Sequence, residues 1–100
     1  MHDHAFDNMV VRTEDLKHLI KWRNDKWFNE NFLCLVATYF KDSKVDEFLN
    51  NFNQLSDDDI EEFVCFKDAQ GMSCISYASQ KNNSKFLDYI FNNTSRKVSF

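Results

Sequence analysis

No proline and a single glycine occur in these 100 residues. That scarcity limits the fold more than any other feature. Sandwiches and barrels of short strands turn often, and their turns draw on Gly and Pro. A chain with one such residue lacks the punctuation for them. The expectation is an all-α fold of about six helices, joined by short Asn, Asp and Ser connections. Hydrophobic residues make up 43% of the chain and include 11 Phe, 3 Tyr and 2 Trp. That is too much large apolar surface for a disordered chain. The length is that of one domain, so residues 1–100 read as a single helical unit.

The periodicity places the helices. Residues 1–12 carry no clear period and are expected as a flexible lead. Thr13 is a good N-cap, with Glu14 and Asp15 at the positive end of the helix dipole. Leu16, Leu19 and Ile20, with Trp22 or Arg23, continue a helical stripe that ends at Asn24-Asp25. Trp27-Phe28 reads as a short apolar connection. Asn29 or Asn31 caps a second helix, apolar nearly all round through Phe32, Leu33, Leu35, Val36, Tyr39 and Phe40, and therefore central. A third helix starts at Ser43 with a near capping box to Asp46 and buries Val45, Phe48, Leu49 and Phe52. A fourth starts at Ser56 with Asp57, Asp58 and Asp59 in its first turn; Ile60, Phe63 and Val64 are its stripe. The only Gly, Gly71, falls in a turn over Lys67–Gly71, where a positive φ is needed. A fifth helix spans about Ser73–Lys81, Asn82-Asn83 breaks the chain, and a sixth runs from Ser84 to Asn92 with Phe86, Leu87, Ile90 and Phe91 inward. Residues 94–100 form a short basic tail.

Charge and cysteines narrow the function classes. The net charge is −4, and the stretch from Asp42 to Asp68 holds nine acids against Lys44 and Lys67. Such a middle repels nucleic acid and anionic membrane, so neither is an expected partner. No apolar run approaches the roughly 18 residues of a membrane span. Met1 to Asp7 has neither the basic nor the apolar region of a secretory leader. Three cysteines, Cys34, Cys65 and Cys74, with no CxxC spacing, argue against a disulfide framework. Set among apolar neighbours, they read as small buried hydrophobes of a reduced, cytoplasmic protein.

No chemistry-bearing constellation stands out. His2 and His4, with Asp3 and Asp7 nearby, lack a third placed ligand for a metal. His18 reads as a helix-surface residue. A Cys–His nucleophilic pair has no local signature, and buried apolar cysteines are inert. The acids of 57–62 lack the loop pattern of a calcium site and are accounted for by helix capping. One glycine cannot make a phosphate-cradling loop. No catalytic residue, metal or cofactor is expected, and the chain is not read as an enzyme.

One segment carries a family pattern. Asp68-Ala69-Gln70-Gly71-Met72-Ser73-Cys74-Ile75-Ser76-Tyr77-Ala78 resembles the ankyrin consensus D-x-x-G-x-T-P-L-H-x-A. Asp68, Gly71, Ser73, Ile75 and Ala78 fall in register; Cys74 replaces Pro and Ser76 replaces His. Phe86-Leu87-x-Tyr89-Ile90-Phe91 fits the apolar second helix. This repeat covers 68–93. A shift of 41 residues gives a degenerate echo over 27–53: Ala37 falls on Ala78, Val45 on Phe86 and Leu49 on Ile90. The resemblance implies two helical hairpins under an N-terminal helical cap that includes Trp22, Trp27 and Phe28. About three stacked units are needed for a continuous core, so the missing neighbour is the cap, a second copy, or a partner.

The resemblance also implies what the protein does. Ankyrin repeats bind proteins through finger tips and the exposed side of the inner helix. On this chain those positions are Lys67, Ala69, Gln70, Met72, Tyr77, Gln80 and Lys81, with Met72 as an adaptable apolar anchor. The expected function is a small regulator or inhibitor that occludes a partner protein. The alternative is a structural homo-oligomer. The Phe/Asn/Lys-rich, short-repeat style resembles small effector-type or regulatory proteins of intracellular bacteria, which would place a secreted form in a host cytosol.

Overall fold

Six short helices and one π-helical turn build the chain in the computed structural model, which describes residues 11–94. They are α1 (Thr13–Leu19), α2 (Phe32–Tyr39), α3 (Asp42–Phe52), α4 (Asp57–Cys65), α5 (Cys74–Gln80) and α6 (Ser84–Tyr89), with the π turn over Ile90–Thr94. The fold is all-α, and among the described residues no β-strand forms. The flexible lead expected over 1–12, His2 and His4 included, lies outside the described residues except for Val11 and Arg12. The basic tail lies outside them beyond Thr94.

Side-chain caps fix most helix starts. Asn31 accepts from the Cys34 N–H, Ser56 from Asp59, Ser73 from Ser76 and Asn83 from Phe86. Each satisfies a backbone donor that the first helical turn leaves without a partner. The two asparagines do more. Asn31 Nδ2 donates to the Phe63 carbonyl of α4 at 3.0 Å, and Asn83 Nδ2 donates to the Ala37 carbonyl of α2 at 3.1 Å. Both side chains are buried. Each therefore caps its own helix and ties it to another one.

Three boundaries differ from expectation, each for a long-range or turn hydrogen bond. Thr13 is the first residue of α1 rather than its cap, because its hydroxyl donates to the Asn51 carbonyl at 2.8 Å. Asp15 accepts from the Arg12 N–H instead. Helix α1 stops at Leu19, not at Asn24-Asp25, because the Trp22 N–H closes onto the Leu19 carbonyl and Asn24 pairs with Glu30 in an antiparallel bridge. Helix α3 starts at Asp42, not Ser43: the Lys44 and Val45 N–H groups both reach the Lys41 carbonyl, each at 2.8 Å.

The core is organised around α2. Its residues Phe32 to Ala37 are all buried in succession, so this helix has no solvent stripe over its first turn and a half. It packs most extensively on α5, and α3 packs on α6; α4 closes a further side of α2, and α1 rests on α3. Burial recurs at the 41-residue shift: Leu33 and Cys74, Val36 and Tyr77, Ala37 and Ala78, Val45 and Phe86, Leu49 and Ile90 are all buried. Phenylalanine rings connect the helices. Phe48 lies 6.2 Å from Phe32, 5.6 Å from Phe40 and 5.7 Å from Phe52, and Phe52 lies 5.6 Å from Phe63. Removing one such ring leaves a cavity costing about 3–5 kcal/mol.

The periphery corrects two expectations. Phe91 is 52% exposed rather than inward: one position past the buried Ile90, it points roughly 100° around the helix axis from that residue. Cys65, on the last residue of α4, is exposed, whereas Cys34 and Cys74 are buried.

Candidate functional site

Among the described residues, the segment between α1 and α2 has the most unusual backbone. Phe28 and Asn29 both adopt positive φ, at 50° and 55°. Asn tolerates that region; a bulky Phe does not, and the strain is roughly 1–2 kcal/mol. A dense set of bonds holds it. The Asn24 N–H donates to the Glu30 carbonyl, Asn29 N–H to Asn24, and Glu30 N–H to Trp27. The Asn24 amide donates to Glu30 Oε1 at 3.0 Å, and its carbonyl accepts from the Lys26 N–H. The outcome is a densely hydrogen-bonded loop that shows solvent two aromatic rings. Trp27 is 51% and Phe28 44% exposed, and their rings meet edge to face at 5.1 Å.

A second turn sits beside this one. Asp68 Oδ1 accepts from the Gln70 and Met72 N–H groups, and the Asp68 N–H donates to the Met72 carbonyl. Gly71, at φ 81°, lets the chain reverse. The Ala69 N–H donates to the Phe28 carbonyl at 2.8 Å, joining the two turns. Asp68 is buried, and its other oxygen accepts a hydrogen bond from the Tyr77 hydroxyl.

Between the first turn and the C-terminal ends of α2 and α5 lies a cleft of about 250 Å³. Glu30 and Tyr77, both buried, form its floor. Trp27 and Tyr39 stand at its mouth, both exposed, with Thr38, Gln80 and Lys81 completing the rim. Burial raises the Glu30 carboxyl above its ordinary value, the Asn24 amide pulls it back, and nearby Asp68 pushes it up again. Desolvation and the Asp68 hydrogen bond likewise raise the Tyr77 hydroxyl, against a hydrogen bond from the Trp27 side chain that lowers it. Arg23 does not neutralise this floor: its guanidinium lies 4.1 Å over the Phe66 ring and donates to the Ile20 and Trp22 carbonyls.

The residues expected to contact a partner divide into three groups. Tyr77, Gln80 and Lys81 come together in the cleft. Lys67, Ala69 and Gln70 are exposed on or beside the second turn. Met72 is half-buried and packs against the core, so little of its thioether is offered as an anchor. Tyr77 contributes a ring face from below; its hydroxyl is already engaged. Sequence reasoning did not select Trp27, Phe28, Glu30, Thr38 or Tyr39. Trp27 and Phe28 were expected as part of the N-terminal cap, not as contact residues, and both are exposed. The available signal was their setting: two aromatics between Asn24-Asp25-Lys26 and Asn29-Glu30, outside any helical period.

Groups with reactive chemistry lie elsewhere or are held inert. Burial pushes the Cys34 thiol up to about 12 and that of Cys74 higher still, so both stay protonated at neutral pH. His18 is exposed on α1. Among the described residues no cluster of three His, Cys, Asp or Glu could hold a metal ion, and no helix is long and apolar enough to cross a membrane. No family model, no curated protein and no solved structure matches the chain.

Proposed function

We propose that this protein is a recognition module that binds another protein and covers part of its surface, acting as a small regulator or inhibitor. The observation that carries the reading is the display of Trp27 and Phe28. Two large apolar rings are held half in solvent beside a preformed cleft, Phe28 on strained backbone and Trp27 tethered by a side-chain hydrogen bond to Tyr77. Stability alone disfavours the strained, half-exposed Phe28, and strain held in place by surrounding bonds clusters at binding sites. Trp and Tyr are the side chains that most often dominate interface energetics. The ankyrin-like reading is supported by three features: the paired turns joined through Ala69 and Phe28, the packing of α2 on α5 and α3 on α6, and burial that recurs every 41 residues.

The test is capture of a partner by the wild type and by the double variant Trp27→Ser, Phe28→Asn, with thermal unfolding measured on both. The expected result is a partner lost by a variant that still unfolds cooperatively, its melting temperature lowered at most by the loss of the Trp27–Tyr77 hydrogen bond. Equal capture by a folded variant would remove this face from recognition.

The same exposed rings favour a second reading, a structural homo-oligomer built on a self-complementary patch. Sedimentation at micromolar concentration separates the two. A stable monomer eliminates self-assembly, whereas a dimer abolished by the double variant replaces the first reading with the second.

A further inference from the structure

The cleft has a chemistry of its own. Its walls are aromatic: Trp27 and Tyr39 at the mouth and Tyr77 beneath. Its floor carries the Glu30 carboxylate, with the Asp68 carboxylate behind it on the Tyr77 hydroxyl. Electron-rich ring faces attract cations, and a desolvated carboxylate strengthens that attraction. Only one Glu30 oxygen has a hydrogen-bond donor among the described residues, the Asn24 amide. The one cationic residue in the lining, Lys81, is exposed at the rim. Anionic floor, aromatic walls and a volume of about 250 Å³ complement one kind of occupant.

We infer that the Trp27–Tyr39–Tyr77–Glu30 cleft receives a basic side chain, lysine or arginine, from the partner protein. This rests on the protein-recognition reading and specifies its central contact. The ammonium or guanidinium enters between the Trp27 and Tyr39 rings and pairs with Glu30. The aliphatic stem of that side chain lies along the aromatic walls. Trp27 and Phe28 then cover neighbouring apolar surface of the partner. Lys81 opposes the entering charge, which favours a single basic residue over a run of them.

The experiment titrates the full chain with three probes of similar size and follows the Trp27 indole N–H by NMR. The probes are the Nα-acetyl methylamides of lysine, arginine and norleucine. Saturable shifts with the two basic probes and none with norleucine are expected. Glu30→Gln should weaken the basic probes by at least about fivefold, the scale of one desolvated cation contact, while Lys81→Met tightens them. The opposite responses of two lining variants are a signature that mere loss of folding cannot produce. Two results would overturn the inference: norleucine binding as well as lysine, or no effect of Glu30→Gln. If the basic probes fail while the wild type still captures a partner that the Trp27/Phe28 variant loses, recognition stands and only the cationic contact falls.

Discussion

Two buried polar residues, Glu30 and Asn83, pull stability in opposite directions. Glu30 titrates above its ordinary value of 4.5 because burial penalises its charge and Asp68 adds repulsion. Between the ordinary and the raised value, the folded state therefore holds a proton that the unfolded state has released. The associated stability is fully present below the ordinary carboxylate value and is lost as pH rises through the raised one. The groups facing it are Asn24, Asp68, Tyr77, Lys81 and the Cys34 thiol. Glu30→Gln keeps the Asn24 donor satisfied and removes the charge. It should raise the unfolding midpoint at neutral pH, with a gain that shrinks as pH falls toward 4.5; chemical denaturation across that range measures it. Asn83 stabilises at every pH, since its amide serves both the Phe86 N–H and the Ala37 carbonyl. Asn83→Ala removes a cap and strands a buried carbonyl, at a cost of about 2–3 kcal/mol, readable from the denaturation midpoint.

At the scale of elements, the two reversals respond differently to substitution. Gly71 has φ 81° and open space where a Cβ would stand. Gly71→Ala should therefore cost only the backbone preference, about 1 kcal/mol, with no clash added. Phe28 is the converse case. Phe28→Asn removes a half-exposed ring and places a residue that accepts positive φ, so stability should hold or rise while partner capture falls. A lower melting temperature for the single variant would show the ring to be structural. The helices themselves were legible where the signal is local: the apolar period of α2, the Ser56 and Ser73 caps, the Asn82 break at φ 55°. Boundaries failed where distant groups decide, as with Thr13 bonding to Asn51 and Asn24 to Glu30. The cleft was half legible. Tyr77, Gln80 and Lys81 lie on a patterned helix, whereas Trp27 and Phe28 reach solvent only through loop bonds that no periodicity records.

Across the molecule the three thiols form a test of how the core is closed. Cys65 is exposed, and Cys34 and Cys74 are fully buried. A neutral maleimide should label Cys65 alone in the native protein, and all three after denaturation, as counted by mass spectrometry. Labelling at Cys34 or Cys74 without denaturant would mean that α2 and α5 part readily. The four ion pairs among the described residues have at least one well-exposed partner, and such pairs contribute little. The hydrophobic centre carries the fold, and its long connections set the order in which it can form. Helix α2 leaves the ribosome with six successive core residues, Phe32 to Ala37, and the helix that covers it best is encoded 41 positions downstream, Leu33 against Cys74. At roughly 5–20 residues per second, that leaves about 2–8 s of synthesis with α2 unsheathed. The nascent chain thus offers its stickiest segment before its lid exists, which makes translation speed and ribosome-bound chaperones part of this protein's folding problem.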